Sequence, residues 1–366
     1  MYIHERKEWP EFEWNRAELA DLLAEVRHQQ GRLLGRMESL GFQLREEAAL
    51  QTLTQDVVKT SEIEGEKLDA LQVRSSLARR MGIDVGALPQ LDRNVEGIVE
   101  VMLDATRKHA APLSAERLFG WHAALFPTGR SGMRRITVGG WRTEQSGAMQ
   151  VVSGPIGRER VHYEAPEQDR LKKETARFIQ WINSASDCDP VIKSALAHFW
   201  FVTLHPFEDG NGRIARAIAD LLLARSEKSS QRFYSMSSQI QRERRAYYEV
   251  LEVCQKGSID ITKWIEWFLN CLKRAMGASE KTLEGVLVKA SFWKSHAGES
   301  FNERQRKVIN RLLDEFEGAL TTSKWAKLTK CSQDTALRDV TDLITRRILS
   351  KHAAGGRSTH YTLHLP

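Results

Sequence analysis

Apolar residues recur at three- and four-residue spacing along most of this chain, the period of an amphipathic helix and not the alternation of a strand. The pattern predicts helices over residues 16–44 and 46–62, with Gly31 and Gly41 interrupting or ending them, and another running to about residue 109. In LSAERLFGWHAALFP, Ser114 is placed to cap a helix, although Arg117 stands where a capping box wants Glu or Gln. Residues 127–166 break the pattern with Gly, Arg, Thr and short apolar pairs, and MQVVSGPIG reads as an exposed hairpin with a Gly-Pro turn. A helix at about 167–184 follows. Asp189-Pro190 then opens VIKSALAHFWFVTL, whose first-turn proline and nearly continuous apolar content predict a buried helix running into His205. The fold class is mainly α.

A chain of 366 residues predicts two or three domains. Its 4 cysteines are widely separated with no CxxC pair, which argues against a disulfide framework or a zinc site and fits a reducing cytoplasm. The charged start MYIHERKEWPEFEW lacks the apolar centre of a signal peptide, and no run reaches the roughly 20 apolar residues of a membrane span. A soluble, cytoplasmic protein without membrane contact is expected. The net charge is +6, and most of the excess lies at one end: residues 303–366 hold 12 Lys/Arg against 7 Asp/Glu.

The chemistry concentrates in HPFEDGNGRIAR, residues 205–216. Pro206 cannot continue the preceding helix, so the chain turns at His205, which can accept a proton near neutral pH. Gly210 and Gly212 let backbone N–H groups converge, and RIARAIADLLLA reads as a helix beginning there: a loop feeding a helix N-terminus is an anion site. Arg213 and Arg216 share one helix face and suit a polyphosphate, while Asp209 offers a hard oxygen to a divalent cation such as Mg²⁺. Each residue alone has a plain structural explanation. The nine specified positions of HPFxDGNGRxxR together should arise by chance in about one chain in a billion. No G-x-x-x-x-G-K-[ST] phosphate loop is present.

This stretch resembles the signature of the Fic family at every fixed position, and the similarity extends over about residues 113–268, including AHFWFVTLHPF, VVSGPIG and YSMSSQIQRERRAYYEVLE. The resemblance implies transfer of AMP from ATP to a Ser, Thr or Tyr hydroxyl of a protein target, or of the enzyme itself, with pyrophosphate leaving. It assigns His205 as general base and Asp209 as the Mg²⁺ ligand. The N–H groups of Gly210, Asn211 and Gly212 would receive phosphate oxygens, with the Asn211 side-chain amide as a further donor, and Arg213 and Arg216 would hold the phosphates. Met149, Gln150, Val151 and Val152 correspond to a flap that binds a target segment by strand addition, and Tyr247 and Tyr248 are placed to flank the adenine. Upstream, Thr60, Glu64 and Gly65 match the family's inhibitory [S/T]-x-x-x-E-[G/N] pattern, which implies that Glu64 pairs with Arg216 and holds the enzyme at rest. A helix stop at Gly65 explains the same glycine. A homodimer is implied as well.

In the tail, NERQRKVINRLLDEF, TTSKWAKLT and SQDTALRDVTDLITRR followed by ILSKHAAGGRSTHYTLHL predict three helices and a two-stranded wing turning at Gly355-Gly356, a winged helix-turn-helix. Arg338, Arg346 and Arg347 on the helix from Ser332, with Lys351 and Arg357, point to DNA as a partner. Asp334, Asp339 and Asp342 on that helix weigh against it, and protein docking is the other use of such a module. The expected organisation is an N-terminal helical extension with the inhibitory helix (1–110), a Fic catalytic domain (111–275), a connecting segment (276–300) and the winged helix-turn-helix (301–366). Two other functions stand beside an auto-inhibited adenylyltransferase: a DNA-binding regulator whose Fic domain senses nucleotide, and a Fic transferase of another phosphate-containing group.

Overall fold

The computed structural model of the protein describes every residue except 39, 84–91, 144–146, 156, 186, 314, 315, 317, 353–358 and 366. The chain divides into two compact units, Met1–Ser279 and Glu280–Pro366. In the first, α1 (Arg16–Glu38), α2 (Phe42–Ile63), α3 (Ala70–Met81), α4 (Arg93–Arg107) and α5 (Ala115–Leu125) lead to two hairpins. These are β1 (Arg130–Ser131) with β2 (Arg134–Arg135), and β3 (Gln150–Ser153) with β4 (Arg160–Glu164), both antiparallel. Then come α6 (Gln168–Asn183), α7 (Pro190–Leu204), α8 (Asn211–Glu227), α9 (Met236–Arg242), α10 (Arg244–Gln255) and α11 (Thr262–Ser295). In the second unit α12 (Glu303–Leu313), α13 (Thr322–Thr329) and α14 (Gln333–Thr345) precede an antiparallel hairpin of β5 (Leu349–His352) and β6 (His360–Leu363).

The centre of the first unit is α7 packed along α8. Asp189 caps α7, accepting from the Val191 N–H at 2.7 Å, and Pro190 occupies the first turn, where its missing N–H costs nothing. From Val191 to Leu204 nearly every residue is buried, as the continuous apolar run requires. Ser114 caps α5 by accepting from the Arg117 N–H at 3.1 Å. Around the central pair, α2 lies against α9 and α3, and α4 packs on α5 and α8. Residues 1–110, the expected N-terminal helical extension, share one compact unit with residues 111–275.

Two local expectations change. Gly31 sits inside α1 and does not interrupt it; a buried stripe of Leu19, Val26, Leu33 and Met37 outweighs the roughly 1 kcal/mol that a helical glycine costs. Gly41 does break the helical pattern, as expected: α1 ends at Glu38 and Gly41 is the N-cap of α2. Residues 276–300, expected to be a connection, are mostly the C-terminal part of α11, and the division between the units falls inside that helix. The second unit has its own core around Val308, Ile309, Trp325, Val340 and Leu343. The Gly355-Gly356 turn and Arg357 lie outside the described residues.

Candidate active site

The site forms where α7 ends and α8 begins. His205 adopts the left-handed conformation (φ 46°), which turns the chain back after α7, and the buried Arg142 holds that turn. Arg142 Nε donates to the His205 carbonyl at 2.9 Å, and its backbone N–H donates to the Pro206 carbonyl at 2.9 Å. Phe207 is buried, its ring stacked on His122 with centroids 4.2 Å apart. The Asn211 side chain closes the loop from within: its Oδ1 accepts from the Phe207 N–H at 3.0 Å and its Nδ2 donates to the Phe207 carbonyl at 2.8 Å. That amide thus fixes the shape of the loop with one of its two N–H groups, and Asn211 also lines the cavity of the site. Gly210 (φ 79°) then delivers the chain into α8, whose first-turn N–H groups have no partner inside the helix.

His205 Nδ1 lies 2.7 Å from the Val202 carbonyl. A carbonyl only accepts, so Nδ1 carries the proton and the neutral ring keeps its lone pair on Nε2. Burial holds this histidine below its ordinary 6.5; the Val202 bond opposes that and the Arg142 charge adds to it. His205 is therefore an unprotonated base at neutral pH. Asp209 accepts from the Ser131 hydroxyl and, at 2.6 Å, from the Gly210 N–H.

His205, Asp209, Asn211 and Gly212 line a cavity of about 940 Å³, walled on one side by Met149, Gln150, Val151 and Val152 of the β3 hairpin and on another by α10. Tyr247 and Tyr248 both reach its wall, but Tyr247 is a core residue: its hydroxyl meets His198 Nε2 at 2.9 Å and its ring packs on Trp264 and Trp267. Tyr248 is only partly buried and lies under the Arg244 guanidinium, 5.2 Å from its ring centre.

Both arginines of the motif are already paired. Arg216 is buried; its Nη2 donates to Glu64 Oε1 at 2.7 Å and to the Thr60 carbonyl at 2.9 Å, and its Nε donates to Thr60 Oγ1 at 2.7 Å. Burial works against the charge of this guanidinium, yet the Glu64 carboxylate more than compensates and strengthens it. Arg213 pairs with Glu66 at 2.8 Å, lies over the Phe126 ring, and lines an adjoining cavity of about 230 Å³. Gly65 (φ 87°) ends α2 with the Gly65 N–H on the Glu62 carbonyl and the Glu66 N–H on the Ser61 carbonyl, the paired bonds of a Schellman end. Glu66, Ser131 and Arg142 were not singled out by sequence reasoning; of these, only Glu66, two residues past Glu64 in EIEGEKL, carries a local signal.

In the second unit, Ser332 caps α14, and two acids of that helix, Asp339 and Asp342, have internal uses. Arg304 grips Asp339 through two bonds of 2.7 and 3.0 Å, and Arg346 pairs with Asp342 and Glu299. Arg346 is thus turned onto its own unit, whereas Arg338 and Arg347 are exposed.

Residues 112–223 match the Fic/DOC family, and residues 2–83 match a domain of unknown function, DUF4172. Over 102 residues, 27% of this chain, it is 33% identical to proteins named protein adenylyltransferase Fic from Drosophila virilis and Drosophila melanogaster. The match spans 19% of the length of those relatives. Among solved structures, a Fic family protein from Desulfovibrio desulfuricans G20 aligns over 94% of this chain and 95% of its own, at 20% identity and a TM-score of 0.51. A Fic-domain-containing signalling protein from Bacteroides thetaiotaomicron aligns over 71% of this chain and 98% of its own, at 16% identity and a TM-score of 0.52. These likenesses establish a shared fold.

Proposed function

Because residues 112–223 are a Fic/DOC-family domain, we propose that the protein is an auto-inhibited protein adenylyltransferase that moves AMP from ATP to a Ser, Thr or Tyr hydroxyl of a target protein. The observation that carries the reading is the convergence on one cavity of an Nε2 lone pair, a carboxylate and an open helix N-terminus, with two arginines beside it held by acids. His205 Nε2 takes the proton of the target hydroxyl as that oxygen bonds to the α-phosphorus and pyrophosphate departs. The first-turn N–H groups of α8 stabilise phosphate oxygens, and the loop, fixed by Asn211 and Arg142, needs little reorganisation to do so. The β3 edge gives a target segment a strand to pair with.

Asp209 fits a Mg²⁺ ligand: it lines the cavity, and among the described residues its carboxylate accepts from a hydroxyl and a backbone N–H. Among the described residues no group of three metal-ligating side chains occurs, so an ion held by Asp209 would take its other oxygens from phosphate and water. When bound, the ion would neutralise phosphate charge.

Glu64 and Glu66 restrain the enzyme. Their carboxylates occupy the guanidinium groups that the triphosphate needs, so ATP enters in a pose unsuited to in-line attack until the end of α2 moves. Incubation with α-³²P-ATP tests the transferase reading: label should enter protein, whereas γ-³²P-ATP should leave protein unlabelled. Label from γ-³²P-ATP alone would sink it. We read the second unit as a winged helix-turn-helix that docks protein, since Arg346 is spent internally and Asp334 stays exposed on α14.

A further inference from the structure

A second proton-relay constellation lies on the flap itself. Val151 pairs with Tyr163 and Val152 with Val161, so His162 is the extra residue of a β-bulge. A bulge re-aims a side chain, and here it turns both His162 and Tyr163 toward the body of the unit, leaving Arg160 and Val161 outside. His162 Nδ1 lies 2.6 Å from Glu252 Oε2 on α10, and His162 Nε2 lies 2.6 Å from the Ser153 hydroxyl on β3.

The proton positions follow from the partners. Burial would raise the Glu252 carboxyl, but hydrogen bonds from Lys256, His162 and Arg160 outweigh it and hold it down to about 2. An ionised carboxylate only accepts, so His162 Nδ1 donates to it, and Nε2 is the ring nitrogen that faces the Ser153 hydroxyl. A serine, an oriented imidazole and a carboxylate in hydrogen-bonded series are the parts of an activated nucleophile. Ser153, His162 and Glu252 line the same cavity as His205 and Asp209, and Ser153 is exposed.

We propose that Ser153 is itself an adenylyl acceptor, its hydroxyl set up by His162 and Glu252, so that the enzyme labels its own flap. The inference rests on the adenylyltransferase reading. Ser153 Oγ bonds to the α-phosphorus of ATP while its proton passes to His162 Nε2. The bond from the α-phosphorus to the bridging oxygen breaks, pyrophosphate leaves with that electron pair, and the imidazolium, held by Glu252, returns its proton to water. A nucleotide on β3 would then stand where a target strand pairs, which makes the labelling self-limiting.

The test uses the full-length chain freed of restraint by Glu64→Gly, and in parallel by Glu64→Ala should the glycine variant prove unstable. Each is incubated with α-³²P-ATP, Mg²⁺ and a host lysate, then digested and mapped by tandem mass spectrometry. The expected result is an adenylyl group on Ser153, with the yield at that residue cut about 100-fold or more by His162→Gln, as loss of a general base implies. Glutamine keeps a hydrogen-bonding side chain, so a His162 that only props the flap would leave the yield near that of the parent, and this result would overturn the relay. Label on lysate proteins or on other residues of the chain, with Ser153 bare, overturns this inference alone. Label on no protein overturns the transferase reading and this inference with it.

Discussion

Replacing Glu64 with glycine should make the protein less stable and more active at once. The Glu64 carboxylate stands 2.7 Å from Arg216, whose side chain is 2% exposed while that of Glu64 is 30% exposed. At this separation the attraction is about 6 kcal/mol with an effective dielectric constant near 20, and removing charges from water consumes most of it. Loss of one partner from a fully buried pair costs about 3–5 kcal/mol; with water reaching Glu64, about 2 kcal/mol is the expected loss in stability. Glycine adds little, because Glu64 caps α2 (φ −86°, ψ 4°) and is not inside it. Arg216 keeps both Thr60 bonds, so the guanidinium stays in place for a phosphate.

If the pair holds the resting state by a net 1–3 kcal/mol, its removal raises the transfer rate by roughly 5- to 150-fold. Urea unfolding reads the first effect through the midpoint at constant slope, and α-³²P incorporation at matched protein and ATP reads the second. The double variant Glu64→Gly, Arg216→Ala should cancel the gain, since both changes act on one site. Equal incorporation by wild type and Glu64→Gly, alongside the stability loss, would refute the reasoning: the ion pair would then be a staple of α2 with no bearing on catalysis.

His205→Ala should lower transfer by about 10²–10⁴-fold while equilibrium dialysis finds ATP still bound; more than a tenth of the rate remaining would refute the base assignment. His4 and His122, both held to about 4 chiefly by burial, stay neutral when folded and protonate when unfolded below pH 6.5. Stability should therefore fall as pH drops from 6.5 to 4, by about 3 kcal/mol for each histidine at pH 4, and a flat urea midpoint over that window would contradict it. Gly97→Ala should destabilise by about 2 kcal/mol or more, because a Cβ there would lie 1.8 Å from the Ala124 carbonyl where α4 crosses α5; an unshifted melting curve would show that the two helices separate at little cost.

What could be read in advance was local. Pro190, Pro206 and the glycines at 210 and 212 act within a few residues of themselves, so the end of α7, the turn at His205 and the start of α8 were legible from their order alone. Partners far along the chain were not. Ser131 reaches Asp209 across 78 residues, Arg213 reaches Glu66 across 147, and Arg142 reaches the His205 carbonyl across 63, and nothing in the spacing of charges reveals which cation meets which acceptor. The same blindness made Asp339 look like an obstacle to a basic surface, when Arg304, 35 residues away, neutralises it. Gly31 failed for another reason: the cost of one glycine is small beside the burial of a long apolar stripe, so a helix breaker in isolation is a passenger in α1.

Gly65 shows how a structural and a regulatory explanation of one residue can be the same explanation. Left-handed backbone at Gly65 closes α2 with a Schellman end, and the chain reverses there. The reversal sets Glu64 on one side and Glu66 on the other, and each meets an arginine of the single face that Arg213 and Arg216 share on α8. A helix continuing past residue 64 would place residues 64 and 66 about 200° apart around its axis, and only one carboxylate could face α8. The glycine that ends the helix is therefore what allows the acids on either side of it to cover both arginines of that face. In the proposed auto-inhibited state the restraint would be as strong as the helix end is well formed, and moving or melting the last turn of α2 would relieve it.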